Sequence, residues 1–178
     1  MKILIIIGAA PNAKEDYENV LKMDIGEHDL LIVGKDAFKI LDRPVKYFAT
    51  YHPDDIILVR DKVEIVISHT TYMNNNPRIK FNPKDYKVDI IKPIDLRTEK
   101  SGSSALLGVL ATIDEGYKKI ILCGCPLTGK NNKQQPYSMF WPGWKQHEKE
   151  VRPYVKSMSG WTKELLGEPT IEWIKGEC

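Results

Sequence analysis

Short apolar runs recur along the chain, and polar or turn-forming segments separate them. The runs lie at residues 2–7, 29–33, 45–50, 63–67, 88–91 and 118–123, and 153–158 is a candidate for the last strand. The clearest runs are continuous and rich in β-branched side chains, which is typical of strands whose two faces are both covered by helices. The pattern therefore predicts a central, mainly parallel sheet.

Segments with helical spacing alternate with these strands. The predicted helices cover residues 13–23, 53–60, 103–115, about 143–151 and 160–166, and a final turn or helix ends near Ile174. In the clearest of them, Leu106, Val109, Leu110 and Ile113 recur at the spacing of one helix face. Strands that alternate with helices favour a three-layer α/β domain.

Length and charge narrow the class of protein. The chain has 178 residues, of which 42% are hydrophobic and 28% charged, so a single domain over residues 1–178 is predicted. The 26 basic and 24 acidic residues leave a formal net charge of +2, which does not favour nucleic acid as a partner. The first apolar run is too short for a signal peptide or a membrane span, so we expect a cytoplasmic protein. Homo-oligomerisation stays open.

The sulfur and imidazole side chains do not form a recognisable metal motif. Cys123, Cys125 and Cys178 are odd in number, and Cys123 lies in an apolar strand, so a buried thiol is favoured over a disulfide. A Cys-x-Cys without a second cysteine pair is a poor zinc site, and the four histidines show no ligand spacing. We therefore predict no metal ligands among them.

Two loops of small residues are candidates for phosphate binding. The first strand ends in a loop formed by Gly8, Ala9, Ala10, Pro11 and Asn12. The third predicted helix is preceded or begun by Ser101, Gly102, Ser103 and Ser104. Side chains this small let a phosphate approach the free N–H groups and the positive dipole end of the helix. We expect a ligand cleft at the carboxyl edge of the sheet, bounded by 8–12, 34–36, 50–54 and 101–104. The full G-x-G-x-x-G and P-loop spacings are absent.

Three further segments are predicted outside the regular pattern. Residues 70–86 are rich in Asn and Pro and are interpreted as an irregular surface excursion. Residues 127–144 are expected to form a long loop or lid, whose aromatic side chains either contact a ligand or pack as a small core of their own. The aromatic side chains in question are Phe140, Trp141 and Trp144. Residues 157–178 carry apolar side chains that must dock on the sheet or on a partner chain.

The order of these motifs resembles two known families. The stretch from Ser101-Gly102 to Gly116-Tyr-Lys-Lys-Ile-Ile-Leu-Cys-Gly124 resembles the S-G … G-Y-K-x-I-x-L-x-G-x-D signature of bacterial lipooligosaccharide sialyltransferases and of the 6-hydroxymethylpterin pyrophosphokinase-like family. Gly8-Ala-Ala-Pro-Asn12 is similar to their G-x-G-P-S loop, and Val33-Gly-Lys-Asp36 and residues 47–54 are similar to two further strand ends. Residues 156–169 resemble small phage proteins of unassigned function. The resemblance implies a Rossmann-like sheet.

The sialyltransferase resemblance also implies a site. It implies a cytidine nucleotide or nucleotide-sugar as substrate, with its phosphate across the two small-residue loops and with Lys35 and Asp36 near the ribose or base. It implies His147 as the base, and Arg97 and Tyr137 as groups that stabilise the phosphate. Two departures bear on this carry-over: Pro126 stands at the acidic position of the G-x-D motif, and Ala10 replaces the second glycine of the first loop. Loss of the carboxylate affects catalysis more directly than binding.

Two alternatives remain at this point. A Mg²⁺-dependent pyrophosphoryl or nucleotidyl transfer would need carboxylates near the phosphates, and the available ones are Asp36, Asp54, Asp55 and Asp95. Alternatively, the chain is a non-catalytic phage or prophage accessory module that binds a nucleotide, a sugar or a protein. Pro126 and the tryptophan-rich segment motivate this reading. The sequence leaves open whether the protein is an enzyme.

Overall fold

A parallel sheet of seven strands forms the centre of the computed structural model, which describes residues 2–69, 82–92, 103–130, 134 and 136–176. The strands are β1 (Ile3–Ile7), β2 (His28–Ile32), β3 (Val45–Ala49), β4 (Val63–His69), β5 (Ile90–Lys92), β6 (Lys119–Cys123) and β7 (Val155–Ser157). Their order is β5-β4-β3-β2-β1-β6-β7, and each neighbouring pair is parallel. The predicted parallel sheet is confirmed.

Helices cover both faces of the sheet. They are α1 (Ala13–Leu21), α2 (Pro53–Val59), α3 (Ser103–Asp114), α4 (Trp141–Val151), α5 (Gly160–Leu166) and α6 (Ile171–Lys175). Buried side chains of α3, α4 and α5 pack on one face, and those of α1, α2 and α6 pack on the other. Successive residues of β1 alternate between the two cores, since Leu4 and Ile6 join the first and Ile5 and Ile7 the second. The three-layer, Rossmann-like α/β architecture is thus confirmed.

Register brings the ends of the central strands to one edge. Ile7, the last residue of β1, lies opposite Ile32 of β2 and Cys123 of β6. Because the strands are parallel, the segments that follow them leave the sheet on the same side. The loops after β1, β2 and β6 are therefore neighbours, although residues 8 and 124 are far apart in the sequence.

The segment expected as a long loop or lid over 127–144 is shorter in the structure. A 3₁₀ helix covers Tyr137–Phe140, and α4 follows it directly. Pro142 suits the first turn of α4, because a proline there loses no helical hydrogen bond. Trp144 is fully buried in the core between α4 and the sheet. The helix predicted from about residue 143 thus begins at Trp141, and burial of the large Trp144 ring stabilises its first turn.

Other segments agree with the expectation only in part or lie outside the described residues. Most of the predicted excursion at 70–86 falls outside them, and its end forms the 3₁₀ helix Pro83–Tyr86. Two further 3₁₀ helices, Lys35–Ile40 and Arg60–Lys62, were not expected. The C-terminal segment docks on its own sheet: Leu166 is buried in one core, and Trp173 and Ile174 are buried in the other.

Both described cysteines are buried thiols. Burial raises the pKa of Cys125 to about 12 and holds the pKa of Cys123 well above its usual value. These thiols are therefore protonated at neutral pH and are poor nucleophiles. Cys178 lies outside the described residues. Across the described part of the chain, every helix is too short or too polar to cross a bilayer.

An ionic cluster at the opposite, amino edge of the sheet joins β2 and β3 to the turn before β6. Asp29 accepts hydrogen bonds from the Lys46 ammonium, at 2.8 Å, and from the Tyr117 hydroxyl. Burial opposes ionisation of Asp29, but the hydrogen bonds from Lys46 and Tyr117 outweigh it and lower the pKa of this carboxyl. Burial and the hydrogen bond to Asp29 raise the pKa of Tyr117. The charged form of Asp29 is thus favoured by folding.

We expect Asp29→Asn to lower the free energy of unfolding at pH 7 by about 1 kcal/mol, since solvent screens a pair that is one-third exposed. A depressed pKa in the folded state contributes stability above the unfolded pKa of about 3.9, and this stability is lost as pH falls through the folded pKa. Urea titrations of both proteins should therefore differ at pH 7, and the difference should shrink as the pH falls below the unfolded pKa of about 3.9 and through the folded pKa. Asp42→Asn, at an exposed position before β3, is the matched control. A difference that persists at low pH would contradict the assignment.

Candidate functional site

A cleft of about 740 Å³ opens at the carboxyl edge of the sheet. The segments after β1, β2, β3 and β6 form its floor and walls, together with the first turn of α3 and the 3₁₀ helix Tyr137–Phe140. In parallel α/β sheets, ligands bind outside the carboxyl ends of the strands, and this volume is typical of small-molecule sites. The cleft is therefore the candidate functional site.

Many of the residues predicted to bind phosphate meet in this cleft. Those that line it are Gly8, Ala9, Ala10, Pro11, Asn12, Ser103 and Ser104. Tyr137, predicted to stabilise phosphate, lines it as well. Ser101, Gly102 and Arg97 lie outside the described residues. The two small-residue loops, about 90 residues apart in the sequence, thus face one ligand volume across parallel strands.

A buried carboxylate fixes the position of the loop at 8–12 through hydrogen bonds. Asp16 of α1 is only 7% exposed, and its Oδ2 accepts three hydrogen bonds. The donors are the Asn12 side-chain amide at 3.0 Å, the Gly124 backbone N–H at 2.8 Å and the Ser159 hydroxyl at 2.7 Å. The Asn12 amide also contacts the Ser159 hydroxyl at 2.7 Å. Asp16 therefore joins the loop after β1, the loop after β6 and the start of α5.

Glycines allow the loops after β1 and β6 to touch. The Gly8 N–H donates to the Cys123 carbonyl at 2.8 Å, and a Cβ at Gly8 would lie 2.1 Å from the Gly124 carbonyl oxygen. A Cβ at Gly124, whose φ is +63°, would lie 2.3 Å from the Cβ of Ala13. Side chains at either position would push the two loops apart. The small residues predicted from the sequence are thus also needed for packing between loops.

The first turn of α3 presents polar groups to the cleft. Ser103 has a positive φ of 80°, and its hydroxyl accepts from the Trp144 indole at 3.4 Å. The Ser104 hydroxyl accepts from the Tyr51 N–H at 3.4 Å. The first backbone N–H groups of a helix have no partner within the helix and carry its positive dipole end. An anion in the cleft would meet these groups.

Some of the charged side chains near the cleft line it, and others do not. Asp55 lines it, and the Lys35 ammonium lies 3.3 Å from the Asp55 carboxylate, so Lys35 stands at its margin. Lys130 also lines the cleft. Asp36, predicted near the ribose or base, does not line it and pairs with Lys39 at 2.7 Å. The hydrogen bond and charge of Lys39 lower the pKa of Asp36.

The structure does not bring His147 to the cleft. His147 lies on α4, and its Nδ1 is 2.9 Å from a carboxylate oxygen of Glu150 on the same helix. Among the described lining residues the histidine is His52, which lies between β3 and α2, immediately before the first residue of α2. Its backbone N–H donates to the Thr50 hydroxyl at 2.9 Å. His52 was not singled out from the sequence, although its place at a strand end was the available signal.

A second histidine lies near this wall but is buried. His69 ends β4, and its Nε2 is 3.4 Å from the Tyr51 carbonyl oxygen. Burial lowers the pKa of His69, and the hydrogen bond to Tyr51 offsets this only in part. His69 is therefore neutral at pH 7, and its ring packs against the Tyr51 ring with 4.9 Å between centroids.

The position that the family motif fills with an acid is packed against α5. The Pro126 carbonyl accepts from the Trp161 N–H at 2.9 Å, and a Cβ at Gly160 would lie 2.4 Å from the Cβ of Pro126. Pro126 lines the cleft but offers no side-chain polar group. Pro126 therefore contributes packing against α5 rather than a polar group for a ligand.

The acidic residues of the magnesium alternative do not gather in the described part of the chain. Asp54 and Asp55 are neighbours on α2, Asp36 pairs with Lys39, and Asp95 lies outside the described residues. No group of three His, Cys, Asp or Glu side chains that could hold a metal ion occurs among the residues described.

Comparison of the chain with models of known protein families gives no match, and no curated protein matches it.

Proposed function

We propose that the cleft binds a nucleotide, or the nucleotide part of a nucleotide-sugar, with the phosphates over the loop at 8–12 and the first turn of α3. The observation that carries this proposal is the meeting of these two small-residue segments in one cleft at the carboxyl edge of a parallel sheet. Backbone N–H groups and a helix dipole favour phosphate over neutral ligands. The lack of side-chain bulk lets the phosphate reach them.

Size and charge agree with this ligand class. A volume of about 740 Å³ lies within the range of pockets that bury small organic ligands. Lys130 contributes a positive charge to the lining, and the charge of Asp55 is offset by Lys35. A ligand with one or two phosphates would therefore meet no uncompensated carboxylate among the described lining residues.

A glycosyltransferase-like reaction is the finer form of the proposal. Transfer of a sugar needs a base for the acceptor hydroxyl and donors for the departing phosphate. His52 supplies an imidazole in the described lining, and the first turn of α3 supplies backbone N–H groups as donors for the departing phosphate. His147, bonded to Glu150 on α4, would need a different geometry to reach the same ligand. We therefore assign the base role to His52 within this proposal.

Binding without turnover is the second candidate. Pro126 occupies the acidic position of the motif, and its backbone and ring are engaged with α5. A site that lacks this carboxylate loses a group that could orient a sugar hydroxyl or a metal ion, while the phosphate contacts persist. Binding of a nucleotide together with failure to hydrolyse or transfer any nucleotide-sugar would favour an accessory module.

A thermal-unfolding screen tests the proposal. The protein is melted with CMP, CDP, CTP, ATP, GTP, UDP-sugars and CMP-sialic acid, with and without Mg²⁺. A ligand at about 100 times its Kd adds about 2.7 kcal/mol to the free energy of unfolding. For a chain of this size that corresponds to a rise in Tm of roughly 5–10 °C. We expect this rise with cytidine nucleotides, independent of Mg²⁺. A rise confined to purine triphosphates with Mg²⁺ would favour phosphoryl transfer instead.

A variant that adds a negative charge to the cleft locates the binding site. Ala9 is exposed and lines the cleft, so Ala9→Glu would place a carboxylate where the phosphate is expected. Ile171→Glu adds a carboxylate on α6 instead, at an exposed position that does not line the cleft. We expect the ligand-induced rise in Tm to disappear in the first variant and to remain in the second. Equal binding by both variants would show that the nucleotide binds elsewhere.

A further inference from the structure

Hydrogen bonds join the residues that follow β6 to the residues that lead into α4. The Tyr137 N–H donates to the Gly129 carbonyl at 3.0 Å, and the Trp141 indole donates to the Leu127 carbonyl at 3.0 Å. The Trp141 ring also stacks on the Trp161 ring, with 4.6 Å between centroids and 6° between planes. The 3₁₀ helix Tyr137–Phe140 is thus held at a defined place beside the cleft.

Two aromatic residues of this 3₁₀ helix line the cleft and also pack against the edge of the core. Tyr137 and Phe140 both line it, both are half-buried, and their centroids are 6.5 Å apart with 35° between the planes. Met139, between them, is 52% exposed and does not line the cleft. Of the large apolar residues of this turn, the two with planar rings therefore line the cleft, and Met139 is exposed to solvent.

The opposite character of the two sides of the cleft suggests how a ligand is oriented. The loop at 8–12 and the start of α3 offer backbone N–H groups and small side chains, which suit phosphate. Tyr137 and Phe140 offer flat apolar surface without charge, which suits a planar ring. Aromatic side chains stack on nucleobases because every base has a π-face.

We propose that Tyr137 and Phe140 form the stacking surface for the base of the nucleotide bound in this cleft, a proposal that rests on the nucleotide-binding function proposed above. The base then lies on the β6 side of the cleft, away from Asp36. The phosphate-stabilising role that the family resemblance implies for Tyr137 is replaced by contact through its ring. The hydroxyl of Tyr137 is dispensable for binding in this arrangement, and the ring is not.

Calorimetric titration with CMP and AMP tests this arrangement in four proteins: wild type, Phe140→Leu, Tyr137→Leu and Tyr137→Phe. Loss of one stacked ring typically costs a base about 1–3 kcal/mol, which converts to a Kd raised by about 5- to 150-fold. We expect such a rise for both leucine variants. Tyr137→Phe keeps the ring and should bind within about twofold of wild type. A phosphate-binding hydroxyl would instead make Tyr137→Phe as weak as Tyr137→Leu, which would overturn the proposal.

Saturation-transfer NMR on the wild-type protein gives a readout that does not depend on how the variants fold. The base protons of the bound nucleotide should receive more saturation than the ribose protons, because they contact the aromatic side chains. Stronger saturation of the ribose protons, or leucine variants that bind as wild type does, would overturn the stacking role and leave nucleotide binding standing. If the wild-type protein binds neither CMP nor AMP, the proposed function is overturned, and the stacking role with it.

Discussion

Gly8→Ala is expected to lower the free energy of unfolding by about 3 kcal/mol or more. The new methyl group would lie 2.1 Å from the Gly124 carbonyl oxygen and 2.8 Å from the Cys125 sulfur. The carbonyl belongs to the backbone just after β6, and β6 is paired with β1 along five registered residues. Relief of the clash would require the two central strands to separate, and close-packed interiors resist such a shift.

Urea denaturation of Gly8→Ala and of a control, Gly108→Ala, measures this cost. A Cβ at Gly108 would lie 3.1 Å from two methyl groups of Leu31 and 3.2 Å from the Cβ of Ala49. The Leu31 side chain can give way slightly, and alanine is favoured over glycine within a helix by about 1 kcal/mol. We therefore expect Gly108→Ala to change the stability by less than about 1 kcal/mol. Similar losses in both variants would refute the view that loop contact, rather than core crowding, requires Gly8.

Asp16→Ala is expected to cost about 3 kcal/mol or more and to weaken nucleotide binding at least about tenfold. The substitution leaves the Asn12 amide, the Gly124 N–H and the Ser159 hydroxyl without their shared acceptor. Hydrogen bonds to a charged group typically contribute about 1.5–3 kcal/mol each, and such losses are not additive. Binding should weaken because the loop at 8–12 loses the contact that sets its position beside Gly124.

Two further variants separate the causes of this loss. Asp16→Asn keeps an oxygen that can accept from the three donors but removes the charge, and neutral hydrogen bonds are roughly half as strong as charged ones. It should therefore lie between wild type and Asp16→Ala in stability. Glu15→Ala removes an exposed acid from the same helical turn and should be near neutral. Chemical denaturation and calorimetric titration of all three proteins measure both effects. Unchanged stability of Asp16→Ala would mean that the bracing role is wrong.

The strands could be predicted because their signal is local. Runs such as 2–7 and 118–123 are apolar without interruption, and the strands formed there, Ile3–Ile7 and Lys119–Cys123, differ from the predicted bounds by one residue. The helix predicted over about 143–151 is present, but it begins at Trp141, whose ring stacks on the distant Trp161. Tertiary packing of this kind leaves no periodic trace in a short polar segment.

Only those residues of the site that lie at the end of a strand or the start of a helix could be predicted from the sequence. The loop at 8–12 and Ser103 and Ser104 follow from small residues beside a strand or helix. Asp16 could not be found in this way, since an acid in the first turn of a helix is ordinarily a solvated residue. One of its hydrogen-bond donors, Ser159, is 143 residues away in the sequence. The sequence does not show which histidine reaches the cleft. The fold places His52 after a strand, at the cleft, and His147 on helix α4, away from it.

The distance along the chain between Asp16 and Ser159 has a consequence for synthesis on the ribosome. Translation adds about 5–20 residues per second, so the helix that carries Asp16 emerges several seconds before its last hydrogen-bond partner is made. During that interval β1 can pair with β2, but it still waits for β6, which is needed to complete the ligand edge. A nascent chain arrested before Ser159 emerges would therefore be exposed to proteases at the future phosphate loop, and added nucleotide would give it little protection.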